Sequence, residues 1–151
     1  MLSIALYQPD IPQNVGAMIR LCACMNVGLE VIEPCSFPWD ARKIRRSAMD
    51  YIDHVDIVRH TSWDAFQSAH SGRRVILMTT KAAVPYVDFE FLSGDILLAG
   101  SESAGVPEHV HESVDARVLI PMQAGMRSLN IVNAASMILG EVLRQIRWNA
   151  I

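Results

Sequence analysis

The chain has little of what would classify it quickly. Its 13 lysines and arginines are outnumbered by 16 aspartates and glutamates, giving a formal net charge of −3. A generally cationic surface for nonspecific nucleic-acid binding is therefore excluded, and any such contact must come from a local basic patch. There are only three cysteines, Cys22, Cys24 and Cys35. One stays unpaired whatever the others do, and the Cys-x-Cys spacing has no matching Cys/His cluster, so neither a disulfide framework nor a metal site is expected. Buried free thiols suit a reducing cytosol, and a cytoplasmic location is expected. No apolar run approaches the length that spans a bilayer. The opening Met1–Tyr7 lacks a positive segment and runs straight into Gln8-Pro9-Asp10, which does not read as a signal peptide. A phosphate-cradling Gly-Lys-Ser/Thr loop and the G-x-G-x-x-G dinucleotide fingerprint are both missing.

What is present is apolar and periodic. Hydrophobic residues make up 51% of the 151 positions and charged residues 19%. That is rich for a soluble monomer of this size, so the core is large or some apolar surface is buried against a partner. Leu2 to Tyr7 reads as a buried strand. Asn14 is positioned to cap a helix reaching about Met25, with Val15, Met18, Ile19, Cys22 and Ala23 on one face, ended by Gly28. Further strands are expected at Leu29–Ile32, His54–Val58, Arg74–Thr79, Asp95–Ala99 and Ala116–Ile120. Between them lie a basic helix capped by Asp40, a helix opened by Thr61-x-x-Asp64 that stops near Gly72, and a short helix near Pro107. Ser128 is expected to cap a last helix running to about Trp148. Strands alternating with helices predict an α/β fold with a mainly parallel sheet, and no linker divides residues 1–151, so a single domain is expected.

Three segments carry polar residues where open α/β sheets place ligands, beyond strand C-termini. The first is Pro12-Gln13-Asn14-Val15-Gly16-Ala17-Met18-Ile19-Arg20. A helix start offers backbone N–H groups to an anion, Gly16 permits close backbone approach, and Arg20 can reach a phosphate or ribose. By spacing alone, a capped amphipathic helix with one solvated arginine explains it equally well. The second, Leu98-Ala99-Gly100-Ser101-Glu102-Ser103-Ala104-Gly105-Val106-Pro107, is a polar turn bracketed by glycines after an apolar strand. The third runs from Ile120-Pro121-Met122 through Gly125 and Ser128-Leu129-Asn130 to Asn133-Ala134-Ala135. Its two asparagines share one face of the first helical turns.

In this order and at nearly this spacing, the three segments resemble the three motifs of the SPOUT methyltransferases, most closely the single-domain TrmL (YibK-like) group. The likeness spans essentially the whole chain and is supported by Ile32-Glu33-Pro34, Arg45-Arg46 followed by Asp50-Tyr51, and Thr79-Thr80-Lys81. It implies a C-terminal trefoil knot threaded by about Leu97 to Ile120 and the last helix. It also implies transfer of a methyl group from S-adenosyl-L-methionine (AdoMet) to the 2′-hydroxyl of a tRNA wobble nucleotide, cytidine or uridine, with S-adenosyl-L-homocysteine as product. AdoMet would bind at Met78, Gly100, Ile120 and Ser128. Arg20 and Asn14 would be catalytic, with Glu102, Leu129 and Asn130 as secondary site residues. Histidine is the side-chain type best suited to proton transfer near neutrality, which makes His109 and His111 candidates, but solvated surface positions are expected for both. The second motif departs from the frequent Gly-Pro-Glu-Thr-Arg-Gly, since Ser101, Ser103 and Ala104 replace three of its residues; that change bears on tRNA recognition more than on the reaction.

Arg42, Lys43, Arg45 and Arg46 form the local patch that an acidic protein with an RNA substrate needs, and the anticodon stem-loop is the expected partner. A homodimer is expected because the last helix presents Ile131, Ala134, Ala135, Ile138, Leu139, Val142, Leu143 and Ile146, with Met18 and Met25 added by the first helix. The same chemistry on rRNA, or an RNA-binding SPOUT-fold protein that has lost transfer, are the alternative readings.

Overall fold

The computed structural model describes residues 1–147. Seven strands form one parallel sheet: β1 Ser3–Tyr7, β2 Gly28–Ile32, β3 Ile57–His60, β4 Val75–Met78, β5 Val84–Pro85, β6 Ile96–Ala99 and β7 Ala116–Leu119. Their spatial order is β3-β2-β1-β6-β4-β7-β5. Every residue of β1 is buried, as befits a central parallel strand covered on both faces. Ser3–Tyr7 pairs in register with Gly28–Ile32 on one side, and Ser3–Leu6 with Ile96–Ala99 on the other. β4 lies between β6 and β7, and β7 lies between β4 and β5. The β6–β7 connection thus skips β4 and the β4–β5 connection skips β7, an interleaved order that accords with the expected knot.

The helices are α1 Pro12–Met25, α2 Ala41–Ala48, α3 Trp63–Ala69, α4 Glu108–Ser113 and α5 Ile131–Ile146. α1 buries Val15, Gly16, Met18, Ile19 and Cys22, a stripe at i, i+3, i+4 and i+7 that joins Ile4, Leu6, Leu97, Ile138 and Val142 in the larger core cluster. Each such fully buried aliphatic side chain contributes about 1.5–3 kcal/mol. Trp63 and Phe66 of α3 and Val110 of α4 close a second cluster against Ala5, Tyr7 and Leu98. α1 and α5 run side by side in the same direction: Asn14 meets Asn130 at one end, and Arg147 donates to the carbonyls of Met25 and Asn26 at the other. Among the described residues no helix is long and apolar enough to cross a membrane.

The elements follow the sequence; all but one of the expected caps do not. Asn14 is not the cap of α1. Pro12 opens that helix, where its missing N–H costs nothing, and the Asn14 and Val15 amides both turn back to the Ile11 carbonyl. Asn26, left-handed at φ 53°, ends it, while Gly28 already belongs to β2. Asp40 does cap α2 through the Arg42 and Lys43 amides. Ser62, not Thr61, caps α3 through the Ala65 amide, and α3 stops at Ala69, before Gly72. Asn130, not Ser128, caps α5 by accepting from Val132 and Asn133 at 2.8 and 3.3 Å. Trp148, the expected end of that helix, lies outside the described residues. Residues Met49–His54 form a 3₁₀ turn tied back by Asp53 to Arg45, so β3 begins only at Ile57.

Candidate functional site

The C-terminal ends of β4, β6 and β7 open into a cavity of about 560 Å³, walled on its far side by the start of α5. Met78, Gly100, Ile120 and Ser128 all line it, as do Asn14, Glu102, Leu129 and Asn130. Residues from 14 to 130 are thus gathered at one place because parallel strands end there together. Leu77, Val118 and Ile138 give it apolar walls, and Lys81, Glu102 and Glu108 supply charge near them. The size is that of a small-molecule site. An apolar slot bordered by strand-end backbone suits an adenosine, and polar side chains nearby suit an amino-acid end, so AdoMet fits the residues present.

The turn between the two glycines is fixed by backbone. Ser101 and Gly105 exchange hydrogen bonds, each 2.9 Å, with Gly105 at φ +65°. A Cβ on Gly100 would lie 2.7 Å from both the Cα and carbonyl carbon of Gly105. Glycine is therefore required at 100 by this close approach. The expected approach at Gly16 serves a different purpose: its missing Cβ lets α2 pack on α1, since a Cβ there would lie 2.8 Å from the Ser47 carbonyl carbon.

Along one rim runs a chain of polar contacts. Asp10, just beyond β1, donates its amide to Glu102 Oε2 at 2.9 Å and accepts the Glu102 amide at 3.0 Å. Ser103 Oγ also donates to Asp10. Asn14 Nδ2 donates to Glu102 Oε1 at 3.2 Å, and Asn130 Nδ2 donates to Asn14 Oδ1 at 3.2 Å. The three sequence segments are joined by these bonds. Two carboxyls share the place, and their acidities separate. Asp10 is held down to about 2 by hydrogen bonds from Glu102 and Ser103. Glu102 is pushed up, first by burial and second by its bond to Asp10.

Arg20 stands apart from the cavity. It lies exposed on α1, its guanidinium 5.0 Å from the Tyr51 ring centre, an attractive cation–π geometry. It lies six positions on from Asn14, about 9 Å along the helix. Arg42, Lys43, Arg45 and Arg46 are exposed on the adjoining α2. Arg45 is engaged by Asp53 through two 2.8 Å hydrogen bonds. Among the described residues the other three make no ion pair.

Two expectations need correction, and a cluster of possible metal ligands stands apart from the cavity. His111 is half-buried and lines the cavity, as do Glu108 and Thr79–Lys81; only His109 is fully at the surface. The end of β4 was the available signal for Thr79–Lys81, whereas nothing in the sequence places Asp10 at the site or distinguishes His111 from His109. A His/Glu cluster does exist: Glu30, His60 and His70 bring ligand atoms within 4.8 Å of one another. It is a filled hydrogen-bond network. Both His Nε2 atoms meet Glu30 Oε2. Ser3 Oγ donates to Oε1, and Arg73 Nη1 lies 3.6 Å from Oε1 and 3.3 Å from His70 Nδ1. The guanidinium supplies the positive charge that a cation would otherwise bring, and no residue of the cluster lines the cavity. Finally, the apolar side of α5 is mostly spent within the chain: Ala135, Ile138, Leu139, Val142 and Leu143 are buried in its own core, and so is Met18. Met25 and Met137 are the large apolar side chains these helices leave exposed, at 40% and 44%.

Residues 1–140 match the model of the SpoU rRNA Methylase family. A protein of Beijerinckia indica named tRNA (cytidine(34)-2′-O)-methyltransferase is 57% identical over 145 residues, covering 95% of this chain and 91% of the relative. A structure solved for the 2-OH methylation of C/U34 on tRNA superposes with a TM-score of 0.91 at 38% identity, covering 96% of this chain and 95% of the other. The SpoU methyltransferase AviRb from Streptomyces viridochromogenes, in complex with AdoMet, superposes at 0.82 with 29% identity, covering 96% of this chain and 57% of that one.

Proposed function

The chain belongs to the SpoU rRNA methylase family, and on that premise we propose that it is a tRNA 2′-O-methyltransferase acting on the wobble nucleotide. The supporting observation is the convergence of Met78, Gly100, Ile120 and Ser128 on one cavity whose rim carries Asn14, Glu102 and Asn130. Similarity over nearly the full length of relatives named for this reaction supports the substrate.

AdoMet supplies a methyl group on a sulfonium that departs as a neutral thioether, so no Lewis acid is needed. Met78, Ile120 and the Gly100 turn would hold the cofactor and shield it from water, and a dry site favours a reaction in which charge is consumed at sulfur. Holding the ribose in line with the methyl is worth roughly 7–11 kcal/mol at best. Asn14, fixed between Glu102 and Asn130, presents its amide to that ribose. Arg20 clamps the phosphate of the same nucleotide about 9 Å along α1, where its guanidinium also stabilises developing alkoxide. A guanidinium, which keeps its proton in water at neutral pH, is no base there. The site lies in the cytoplasm, and Arg42, Lys43 and Arg46 follow the anticodon-stem phosphates. Unstacked anticodon-loop bases are accessible to a single compact domain of this size.

Incubation with AdoMet and total tRNA in EDTA-containing buffer, followed by nucleoside mass spectrometry, is expected to yield 2′-O-methylcytidine or 2′-O-methyluridine. Methyl on a base nitrogen would defeat the proposal. AdoMet binding without transfer would favour an RNA-binding protein that keeps the fold.

Alanine at Arg42, Lys43, Arg45 and Arg46 together is expected to weaken tRNA binding roughly tenfold or more and to flatten its salt dependence, because fewer counterions are released. AdoMet binding is expected to stay unchanged in calorimetry. Since Arg45 is already paired with Asp53, Arg45→Ala alone is expected to have the smallest effect of the four.

The acting species is a homodimer. Met25 and Met137, exposed on neighbouring helices, support it, together with open space around Gly140 that would admit another backbone. Sedimentation equilibrium at micromolar concentration is expected to give twice the chain mass of 16.8 kDa, and Met137→Glu is expected to shift the population to monomer.

A further inference from the structure

Neither Asn14 nor Arg20 can take the proton that a ribose hydroxyl must lose. An amide has no useful basicity, and the guanidinium stays protonated throughout. The cavity rim holds one group with the right chemistry on the side facing the first motif. Glu102 is half-buried, lines the cavity, and is bonded to Asn14, which is bonded in turn to Asn130. Its orientation is fixed from behind by the reciprocal amide–carboxylate pair with Asp10. Each Glu102 oxygen accepts one of these hydrogen bonds and keeps a further lone pair for another donor.

We propose that Glu102 is the proton acceptor for the ribose 2′-hydroxyl and that Asp10 is the positioning residue that sets its basicity. The inference rests on the methyltransferase reading. As the 2′-oxygen forms its bond to the methyl carbon, the carbon–sulfur bond breaks and its electron pair stays on sulfur. The O–H bond breaks with its pair left on oxygen, and the proton passes to a Glu102 carboxylate oxygen and then to water. One hydroxyl and one sulfonium thus give one ether, one neutral thioether and one proton.

Asp10 has a clear part in this. A proton on Glu102 is stabilised by donation to the Asp10 carboxylate, and burial disfavours the Glu102 anion. Both raise Glu102 above the ordinary glutamate range, towards the value at which a carboxylate is an effective base near neutrality. The rate therefore rises with pH as Glu102 ionises and then levels. Removing the Asp10 carboxylate removes the acceptor of that proton, so Glu102 ionises at lower pH and the rising limb moves to lower pH.

The test uses the whole chain with its tRNA. Glu102→Gln keeps the shape and the bond from the Asp10 amide. It is expected to lower kcat by roughly 10²-fold or more, the range of a general base, with little change in KM for AdoMet or tRNA. Asp10→Asn is expected to keep transfer and to move the acid limb down in pH. His111→Gln is the control for the histidine that lines the cavity and is expected to leave that limb in place. In the free protein, carboxyl ¹³C NMR of labelled glutamate is expected to show one site titrating above the ordinary glutamate value, lost in Glu102→Gln and lowered in Asp10→Asn. Glu102→Gln with nearly full kcat, an acid limb that moves with His111 and not Asp10, or a Glu102 titration at or below the ordinary value would each overturn the inference. No transfer by the wild-type chain would overturn the methyltransferase reading and this inference together.

Discussion

Replacing Arg20 by alanine is expected to lower kcat for methyl transfer by roughly 10²- to 10³-fold, the effect of losing one preorganised group aimed at developing negative charge. AdoMet affinity is expected to be unchanged. The division follows from where the side chains lie. Met78, Gly100, Ile120 and Ser128 form the cavity, whereas Arg20 lies exposed outside it against Tyr51. A group that reaches the ribose and its phosphate only after RNA has docked contributes little while AdoMet binds alone. Single-turnover transfer and calorimetry on the same variant separate the two. Cofactor binding lost together with activity would show that Arg20 supports the cavity instead. Arg20→Lys is expected to recover only a small part of the rate, because an ammonium lacks the planar fork that holds a phosphate by two bonds.

The second large effect is expected at Gly100, where alanine should weaken AdoMet binding roughly 30- to 150-fold. The added Cβ would sit 2.7 Å from two backbone atoms of Gly105, and backbone cannot step aside as a flexible side chain can. Relief requires breaking the Ser101–Gly105 pair and shifting the turn that lines the cavity. Overpacking of this kind costs about 1–3 kcal/mol. If the upper half of that range, about 2–3 kcal/mol, falls on the bound state, the stated loss follows at about 1.4 kcal/mol per tenfold. The melting temperature reports how much of the cost the free protein already carries. Unaltered AdoMet affinity in Gly100→Ala would place the cofactor away from this turn.

Much of this was legible in the sequence because it depends on local pattern. Apolar runs at β1, β4 and β6 and the stripe of α1 follow from burial and periodicity, and these elements lie close to where the residues predict them. The cavity was legible because ligands gather at strand C-termini and three polar segments follow such termini. Helix caps were less so. Asn14 and Ser128 have the right residue types, yet Pro12 and Asn130 open the helices, and capping preference does not distinguish candidates two residues apart. Contacts between distant residues left no trace. Nothing in the order of the chain links Asp10 to Glu102, or Glu30 to His60 and His70, since β-strand register and the packing of α3 bring them together. The apolar face of α5 looked wide enough for a partner because periodicity counts apolar positions without showing which of them the chain's own sheet and α1 already cover.

The most direct test of the central claim uses two versions of one substrate tRNA that differ only at position 34, one with a ribonucleotide and one with the 2′-deoxynucleotide. With the ribonucleotide, methyl transfer from labelled AdoMet is expected, and fragment mass mapping should place the methyl on the ribose of nucleotide 34. With the deoxynucleotide, no methyl should be incorporated although binding persists. Equal incorporation into both tRNAs, or a methyl group mapped to another nucleotide or to a base, would contradict the account.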